Sequence, residues 1–331
     1  MNNNCVVEKW VVDGSILAFP HRWQRPAKTE EWVYEVLKKN PPNSKFVEFI
    51  CFPWATLIDL IDRKKYERAK ILIDRLKELP PKKTLIRATA CQHINIEKII
   101  PYLNSIKITD LFWAHKTINI DKVEAIRIHP MALYPVMFYE HISIKQIEEV
   151  NRKYLYSFIG AYDPNCYISD IRKKIYEIPF NEKSIVVQRD KWHYEVDVYD
   201  VDINQNEVNE ETKATLLQRA KEYKNTMVNS KYSLCPSGSG PNSIRIWEAL
   251  ALGTIPVVLS DSLDLPEFVN KTSLLKVKEN DLNFFLVDIE LNNRGFRASL
   301  DETIEPELFL QNITSDLFTN NFLKFFLSQD N

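Results

Sequence analysis

Glycine is scarce in this chain, which has only six glycines among its 331 residues. Three of the six lie between Gly238 and Gly253, within the stretch SLCPSGSGPNSIRIWEALALGTIPVVLSD at 233–261. Glycine permits tight turns and a close approach of the backbone to a ligand. The concentration of a rare residue in one stretch therefore marks that stretch as the first candidate for a functional site.

Other absences exclude whole classes of protein. The five cysteines form no C-x-x-C pair, so we expect neither a disulfide framework nor a zinc site, and a reducing compartment fits best. The formal net charge is −2 without a run of one sign, so no nucleic-acid partner is expected. The sequence shows no signal peptide and no run of 18 apolar residues. This pattern predicts a cytoplasmic protein with at most peripheral contact to the inner face of a membrane.

The length of the chain and its alternating pattern predict two α/β domains. At 331 residues and 45% hydrophobic composition, two globular domains are the default. Strand-like apolar runs alternate with amphipathic helical segments, which is typical of parallel sheets. Strands are predicted at 45–52, 84–94, 110–116, 124–130, 155–162, 184–188, 231–236 and 254–260, and helices within 55–79 and at 143–155, 209–229 and 242–252.

The predicted N-terminal domain covers 1–145 and the predicted C-terminal domain covers 146–312, with the boundary near 140–153. A further helix is predicted within 313–331. Its apolar residues favour packing against a core, back on the N-terminal domain. An interfacial membrane helix is the alternative, but the segment lacks the basic face that such helices prefer.

The glycine-rich stretch is predicted to form a strand, a tight turn and a helix. Small residues in the turn admit a ligand, and the N-terminus of the helix offers free N–H groups and a positive dipole end. Together these features indicate an anion site, most simply for phosphate. The stretch matches neither a P-loop nor a Rossmann fingerprint, and a turn without a ligand is the alternative. The candidate anion-binding residues are Ser237, Gly238, Ser239, Gly240, Asn242 and Ser243.

Two charged residues on the following helix strengthen this interpretation. Arg245 and Glu248 are three residues apart and share one helix face. A cation near a helix N-terminus is disfavoured unless an anion is close, and a diphosphate would supply one. Glu248 would then accept hydrogen bonds from a ribose diol. The alternative is an exposed ion pair worth about 0.3 kcal/mol. Gly253 has a different role, as a left-handed cap after the helix.

At this point a family resemblance is visible. The stretch KYSLCPSGSGPNSIRIWEALALGTIPVVLSDSLDLPEF at 231–268 resembles the signature of exostosin-family (GT47-like) glycosyltransferases of bacterial or viral type. Weaker similarity in the blocks ATACQHI, LFWAHK, PMALYPV and SFIGAY extends the resemblance to about 45–268. Ser237 stands where the family often has Arg, so the resemblance does not identify the donor. The matching positions include Cys235, Pro236, Gly238, Gly240, Ser243, Arg245, Glu248, Ala249, Gly253, Pro256 and Asp261.

The resemblance implies a GT-B fold, in which two Rossmann-like domains face an interdomain cleft. The C-terminal domain would bind a nucleotide-sugar donor, most often a UDP-sugar, and the N-terminal domain would bind the acceptor. No prosthetic group and no catalytic metal are implied. The expected reaction is transfer of a hexosyl or pentosyl group to a hydroxyl of a glycan or lipid-linked glycan, in surface polysaccharide synthesis. Inversion is favoured over retention.

Four further residues are candidates for this chemistry. Gly160 ends a strand, and Arg172 lies on the next helix, where GT-B enzymes often place a phosphate-binding arginine. A solvated helix face is the alternative for Arg172. His93 and His115 end predicted strands, where ligands of open parallel sheets bind. Either could be the general base, with His93 favoured by its place in the CQHI block, although a structural histidine is the alternative.

Two other functions are also compatible with the sequence. A nucleotide-sugar isomerase or epimerase would also bind a UDP-sugar between two domains, but it would use no acceptor. A catalytically inactive binding module would keep the fold and lose the turnover that depends on Arg245 and Glu248. The intact signature argues against the inactive module. The sequence leaves the oligomeric state open.

Overall fold

The computed structural model describes residues 8–39, 41, 45–136, 151–192, 196–267, 269 and 274–291. The helix predicted at 313–331 lies outside these residues, as do most of the helix predicted at 143–155 and the division predicted at 145/146. The chain forms two compact units. Unit 1 takes in the described residues of Met1–Ala114 and Ile120–Met131, and unit 2 takes in those of His115–Asn119 and Ala132–Thr314.

Unit 1 is built on a seven-stranded, mostly parallel sheet. Its strands are β1 (Val11–Asp13), β2 (Ile16–Ala18), β3 (Val47–Cys51), β4 (Ile86–Cys91), β5 (Asp110–Trp113), β6 (Lys122–Val123) and β7 (Ile126–Pro130). Its helices are α1 (Thr29–Lys39), α2 (Trp54–Asp62), α3 (Tyr66–Lys77) and α4 (Ile100–Ser105), with a 3-10 turn at Ile96–Lys98. The order across the sheet is β1-β2-β3-β4-β5-β7-β6, and only the edge strands β1 and β6 pair antiparallel.

The centre of this sheet is enclosed on both faces. Every residue of β3 and β4 is buried, as expected for central strands of a parallel sheet. The two charged residues among them satisfy each other, because Arg87 Nε donates to Glu48 Oε1 at 2.9 Å across the β3–β4 pair. This buried pair is compatible only with the observed register.

Unit 2 is built on a five-stranded sheet in which all neighbours are parallel. Its strands are β8 (Tyr154–Ala161), β9 (Ser184–Arg189), β10 (Ser230–Pro236), β11 (Ile255–Leu259) and β12 (Leu275–Lys276). Its helices are α5 (Ile171–Tyr176), α6 (Glu210–Val228), α7 (Ile244–Ala251) and α8 (Leu282–Leu291), with a π-helix at Val196–Ile203 and a 3-10 turn at Glu279–Asp281. The order across the sheet is β12-β11-β10-β8-β9.

This strand order creates a switch point between β8 and β10. Counted from the first strand of the unit, the order is 2-1-3-4-5, a doubly wound arrangement. The chain leaves β8 toward one edge to form β9 and then returns past β8 to form β10. In such sheets, ligands bind beyond the carboxyl ends of the two neighbouring strands whose following connections run in opposite directions. That place is the end of β8 and the glycine turn after β10.

The prediction of an α/β protein with the two Rossmann-like units of the GT-B class is confirmed. Gly253 has φ +63° directly after α7, so the predicted left-handed cap is also confirmed. Several observed elements have no counterpart among the predicted ones, namely the β1–β2 pair, α1, α4, β6, β12 and α8. Within the described residues, no helix is long and apolar enough to cross a lipid bilayer.

Candidate functional site

The glycine turn lies at the switch point of unit 2 and is held by backbone hydrogen bonds. The N–H of Ser237 donates to the carbonyl oxygen of Leu259 at 2.9 Å, and the N–H of Gly238 donates to that of Gly240 at 3.0 Å. These bonds fold the turn tightly over the ends of β10 and β11. The N-terminus of α7 follows the turn directly, so its positive dipole end faces the same region.

Arg172 is buried against this turn. It lies on α5, where Nε donates to the carbonyl oxygen of Ser237 at 2.9 Å and Nη1 donates to that of Ala161 at 2.8 Å. Its guanidinium carbon also lies 4.4 Å from the ring centroid of Tyr167, a favourable cation–π distance. Only 8% of the residue is exposed. The alternative of a solvated helix face is therefore wrong.

Arg245 is buried next to Arg172 and is less well satisfied. It lies in the first turn of α7, where Nη2 donates to the carbonyl oxygen of Ile159 and the guanidinium carbon lies 4.4 Å from the ring centroid of Phe158. Its Nε and Nη1 atoms are buried and have no hydrogen-bond partner in the described part of the chain. A buried donor without a partner is costly, and a charged one more so. Arg245 is therefore the less satisfied of the two buried arginines.

The two guanidinium groups converge at Gly160, near the end of β8. A β-carbon at this position would crowd Arg245 Nη2 at 3.3 Å and would lie in ordinary contact with Arg172 Nη1 at 3.5 Å, so both guanidinium groups border this one position. Burial and then the neighbouring charge of Arg245 lower the pKa of Arg172 to about 10. Arg172 and Arg245 are therefore two like charges held close together, and the buried Glu248 lies near Arg245 as a charge of opposite sign.

Glu248 is buried behind Arg245, on the same helix. It is 1% exposed, so the alternative of an exposed ion pair with Arg245 is wrong. Its Oε2 accepts a 2.7 Å hydrogen bond from the hydroxyl of Tyr223, a residue of α6. Burial and then the charge of Glu248 raise the pKa of Tyr223 well above its ordinary value, so the hydroxyl keeps its proton. The predicted contact of Glu248 with a ribose stays a prediction.

A loop at 162–170 lies along the glycine turn. The hydroxyl oxygens of Ser169 and Ser237 are 3.1 Å apart, and the N–H of Ile168 donates to the carbonyl oxygen of Gly238 at 3.0 Å. Farther along, Ser239 Oγ lies 3.8 Å from the sulfur of Cys166. The turn is therefore supported from one side by this loop.

Two predicted residues stand between the turn and α7. The side-chain oxygen of Asn242 accepts a 2.9 Å hydrogen bond from the indole N–H of Trp247, so this side chain braces α7. Ser243 is the N-cap residue of α7, but its hydroxyl makes no capping hydrogen bond. The roles of both residues toward a ligand stay predictions.

The two candidate histidines belong to different units. His93 follows β4 in unit 1, where its Nδ1 accepts a 3.0 Å hydrogen bond from the N–H of Asn95 and its Nε2 lies 3.3 Å from Asp59 Oδ1. Both ring nitrogens thus face a partner, and one of these contacts must open before His93 can accept a proton from a substrate. His115 is buried at the start of the unit 2 segment His115–Asn119.

Three residues near the arginines were not identified from the sequence. Tyr167 and Tyr223 contact the two arginines from a loop and from a distant helix, so only the fold brings them there. Glu279 approaches Ser237 from the turn after β12, a strand that the sequence analysis did not predict. Among the described residues, no group of three or more His, Cys, Asp or Glu side chains could hold a metal ion.

Two solved structures resemble this chain at low sequence identity. A Listeria monocytogenes protein assigned as a UDP-N-acetylglucosamine 2-epimerase is 12% identical over 88% of this chain and 78% of that one, with a TM-score of 0.35. A second UDP-N-acetylglucosamine 2-epimerase is 13% identical over 88% of this chain and 76% of that one, with a TM-score of 0.31. Such low similarity carries no argument about activity. No curated protein sequence matches the chain.

Family comparison is more informative. The model of the Exostosin GT47 domain matches residues 104–289, which is more than half of the chain. The matched region contains the glycine turn, Gly160 and both buried arginines. The chain therefore belongs to the exostosin GT47 family of glycosyltransferases.

Proposed function

We propose that this glycosyltransferase uses a nucleoside diphosphate sugar, most simply a UDP-sugar, and that unit 2 binds the diphosphate. The convergence of Arg172 and Arg245 at Gly160 carries this proposal. Both guanidinium groups are buried, and two donor nitrogens of Arg245 have no hydrogen-bond partner among the described residues. A diphosphate offers acceptor oxygens for these nitrogens, and it adds negative charge beside two guanidinium groups that have the carboxylate of Glu248 nearby.

The surroundings of the arginines support the same ligand. The switch point of a doubly wound sheet is the usual place for a nucleotide. The glycine turn allows the backbone to approach phosphate oxygens closely, and the N-terminus of α7 adds its dipole. Transfer of the sugar leaves negative charge on the departing diphosphate, and fixed cations stabilise that charge without a metal ion. Metal independence is part of the proposal.

The second part of the proposal concerns the acceptor and the general base. We propose that the acceptor is a hydroxyl of a glycan or lipid-linked glycan, as in the synthesis of surface polysaccharides. A general base would take the proton of this hydroxyl as the new bond to the sugar forms. His93 stays the first candidate for this base and His115 the second. Product analysis would define the transferred sugar, the linkage and the stereochemical outcome.

Nucleotide binding provides the direct test of this proposal. At 100 times its dissociation constant, UDP should stabilise the parent protein by about 2.7 kcal/mol, which corresponds to a rise of several degrees in Tm. Arg245→Lys and Arg172→Lys should lose most of this rise, because lysine cannot reproduce the forked guanidinium contacts. Arg75→Lys is the matched control, since Arg75 forms a surface ion pair with Glu78 at the end of α3, in unit 1.

Transfer itself is tested with a panel of UDP-sugars and glycan acceptors, followed by mass analysis of the products. A parent protein that binds GDP or CDP but not UDP would keep the diphosphate site and overturn the choice of nucleotide. If no nucleoside diphosphate raises the Tm, the proposed donor site is wrong. If the protein converts a UDP-sugar to an isomer in the absence of an acceptor, its activity is that of an isomerase or epimerase and not that of a transferase.

A further inference from the structure

Three segments of unit 1 precede the central strands of its sheet and are rich in lysine. They are residues 45–46 before β3, 80–85 before β4 and 106–109 before β5. Together they contain four lysines and no Asp or Glu. Because β3, β4 and β5 are parallel, their amino ends lie at one edge of the sheet, and so do these segments. The four lysines are Lys45, Lys82, Lys83 and Lys107.

A buried arginine of β4 ties the segments together. Arg87 Nη2 donates to the carbonyl oxygen of Pro80 at 2.9 Å, and Nη1 donates to that of Ile106 at 2.7 Å. The N–H of Ile86 donates to the carbonyl oxygen of Phe46 at 2.9 Å, which joins the third segment to the other two. The three segments therefore form one surface, which we call the basic edge of unit 1.

The acidic side chains of the adjoining strand ends do not cancel this charge at the surface. Glu48 is buried and paired with the same arginine. Asp110 is fully buried and accepts two hydrogen bonds of 2.8 Å from Arg127. The exposed carboxylates of Asp121 and Glu124 flank β6, outside the three segments. The basic edge therefore presents mainly positive charge to the solvent.

Lys82 lies close to the same buried charges. Burial and then the neighbouring charge of Arg87 lower the pKa of Lys82, while the charges of Glu48 and Asp110 oppose this effect. An anion beside Lys82 would favour its charged form. The electrostatics of the basic edge thus suit an anionic partner.

Two bulky apolar side chains lie among the lysines. Leu85 is 73% exposed and Phe46 is 46% exposed. They directly precede Val47 and Ile86, which are opposite each other in the β3–β4 register, so the two side chains are neighbours. A lipid surface suits this combination, because apolar groups enter the acyl boundary while lysines reach the headgroups. A soluble polyanion would contact the lysines and leave the apolar side chains in water.

We propose that the basic edge of unit 1 binds the surface of a bilayer that contains anionic phospholipids. Leu85 and Phe46 enter the acyl boundary, and the lysines contact the phosphate headgroups. The carboxyl end of β4, which His93 follows, lies at the opposite edge of the sheet. Attachment would hold unit 1 at a lipid surface and leave that opposite edge uncovered. The inference does not depend on the nucleotide site proposed for unit 2.

Cosedimentation with lipid vesicles tests this proposal. The parent protein should bind vesicles of phosphatidylcholine and phosphatidylglycerol but not those of phosphatidylcholine alone, and added salt should release it. The double variant Lys45→Gln with Lys83→Gln should bind the anionic vesicles at least about tenfold more weakly, at about fivefold per lysine. Leu85→Ser should also lose about tenfold, because it removes an apolar side chain from the acyl boundary.

Matched control variants are available on α6 of unit 2. Lys221→Gln and Leu217→Ser change the same kinds of exposed side chain and should bind the vesicles as the parent does. All the variants should keep the parental Tm and the parental rise of Tm with UDP. Failure of the proposed donor site is recognised separately, because the parent protein would then show no rise of Tm with any nucleoside diphosphate.

Three results would overturn the proposal. The first is a parent protein that does not bind the anionic vesicles. The second is vesicle binding of parental strength by the lysine and leucine variants when their Tm is parental. The third is parental vesicle binding by Leu85→Ser together with loss of both vesicle and heparin binding in the lysine variant. That third result would identify the basic edge as a site for soluble polyanions.

Discussion

Arg172 and Arg245 direct their guanidinium groups at one position, Gly160, near the end of β8. They come from different helices, α5 and α7, and are 73 residues apart in the chain. Each also contacts the backbone of the strand segment that contains Gly160, since Arg172 donates to Ala161 and Arg245 donates to Ile159. The end of β8 therefore helps to position both guanidinium groups.

Gly160→Ala should weaken UDP binding by about tenfold or more. The new β-carbon would lie 3.3 Å from Arg245 Nη2 and 3.0 Å from Phe158 Cζ, so both side chains must move. Overpacking of this kind costs about 1–3 kcal/mol of stability. Calorimetry of UDP binding and urea denaturation measure the two effects.

Gly238→Ala is the matched control for Gly160→Ala. Its β-carbon would lie 3.1 Å from Arg172 Nη2 and 3.8 Å from Tyr167, so it crowds one side chain, whereas the β-carbon of Gly160→Ala crowds both Arg245 and Phe158. We expect a smaller loss of UDP affinity than for Gly160→Ala. Equal losses in the two variants would show that the convergence at Gly160 has no special importance.

Tyr223→Phe should destabilise unit 2 by about 1–3 kcal/mol. The hydroxyl of Tyr223 donates to the buried carboxylate of Glu248 at 2.7 Å, and its removal takes a donor from a charge that water does not reach. Urea denaturation followed by fluorescence measures the change. Tyr66→Phe, at an exposed position, should leave the midpoint unchanged. A parental midpoint for Tyr223→Phe would contradict this role of the hydroxyl.

Glu30 should make the stability of unit 1 depend on pH between about 4.5 and 8. Burial raises the pKa of Glu30 from 4.5 to about 8, against hydrogen bonds from the N–H groups of Gln92 and Ala55. The folded state then binds a proton that the unfolded state releases. Its contribution is fully present below about pH 4.5 and falls as the pH rises toward 8, by a few kcal/mol.

Glu30→Gln tests this dependence, because glutamine stays neutral at every pH. The free energy of unfolding of this variant should be nearly flat between pH 5 and pH 8, where that of the parent falls. Glu35→Gln, at an exposed position of the same helix, should retain the parental slope. An unchanged slope in Glu30→Gln would show that Glu30 is ionised in the folded protein.

Arg152→Lys should cost about 2–4 kcal/mol of stability in unit 2. The two terminal nitrogens of Arg152 lie within hydrogen-bond distance of five acceptors, and this set ties the ends of α6 and α7 to the start of β10. Lysine, with one nitrogen, cannot reproduce these contacts. Differential scanning calorimetry, with Arg189→Lys as the surface control, measures the loss. If Arg152→Lys has the same Tm as the parent protein, the contacts of Arg152 do not stabilise unit 2. The acceptors are the carbonyl oxygens of Val228, Ser230, Leu252 and Gly253 and the hydroxyl of Thr254.

Local pattern was sufficient for most of the elements of unit 2. The strand at β10, the glycine turn and helix α7 follow one another without a gap, so periodicity and glycine content predicted them together. By contrast, β12 has two residues and β6 has two, which is too short for any periodic signal. Helix α1 has an amphipathic pattern that the sequence analysis overlooked.

The residues of the candidate site also differ in whether the sequence could predict them. Arg245 and the glycine turn lie within one contiguous stretch, so the sequence alone was sufficient to predict an anion site there. Arg172 was ambiguous, because a short helix with three basic residues is usually solvated, and only its burial distinguishes the two interpretations. The pairing of Glu248 with Tyr223 and the approach of Glu279 to Ser237 join distant segments and had no local signal.

The sequence by itself determined the class of fold, the family and the position of the glycine turn, because these depend on local periodicity and on contiguous motifs. The tertiary structure decided which side chains meet. It brought Arg172 to Arg245 because parallel strands place their carboxyl ends at one edge of the sheet. It also buried Glu248 and left Glu279 partly exposed. Burial and convergence arise from packing between remote segments, which no short stretch of sequence encodes.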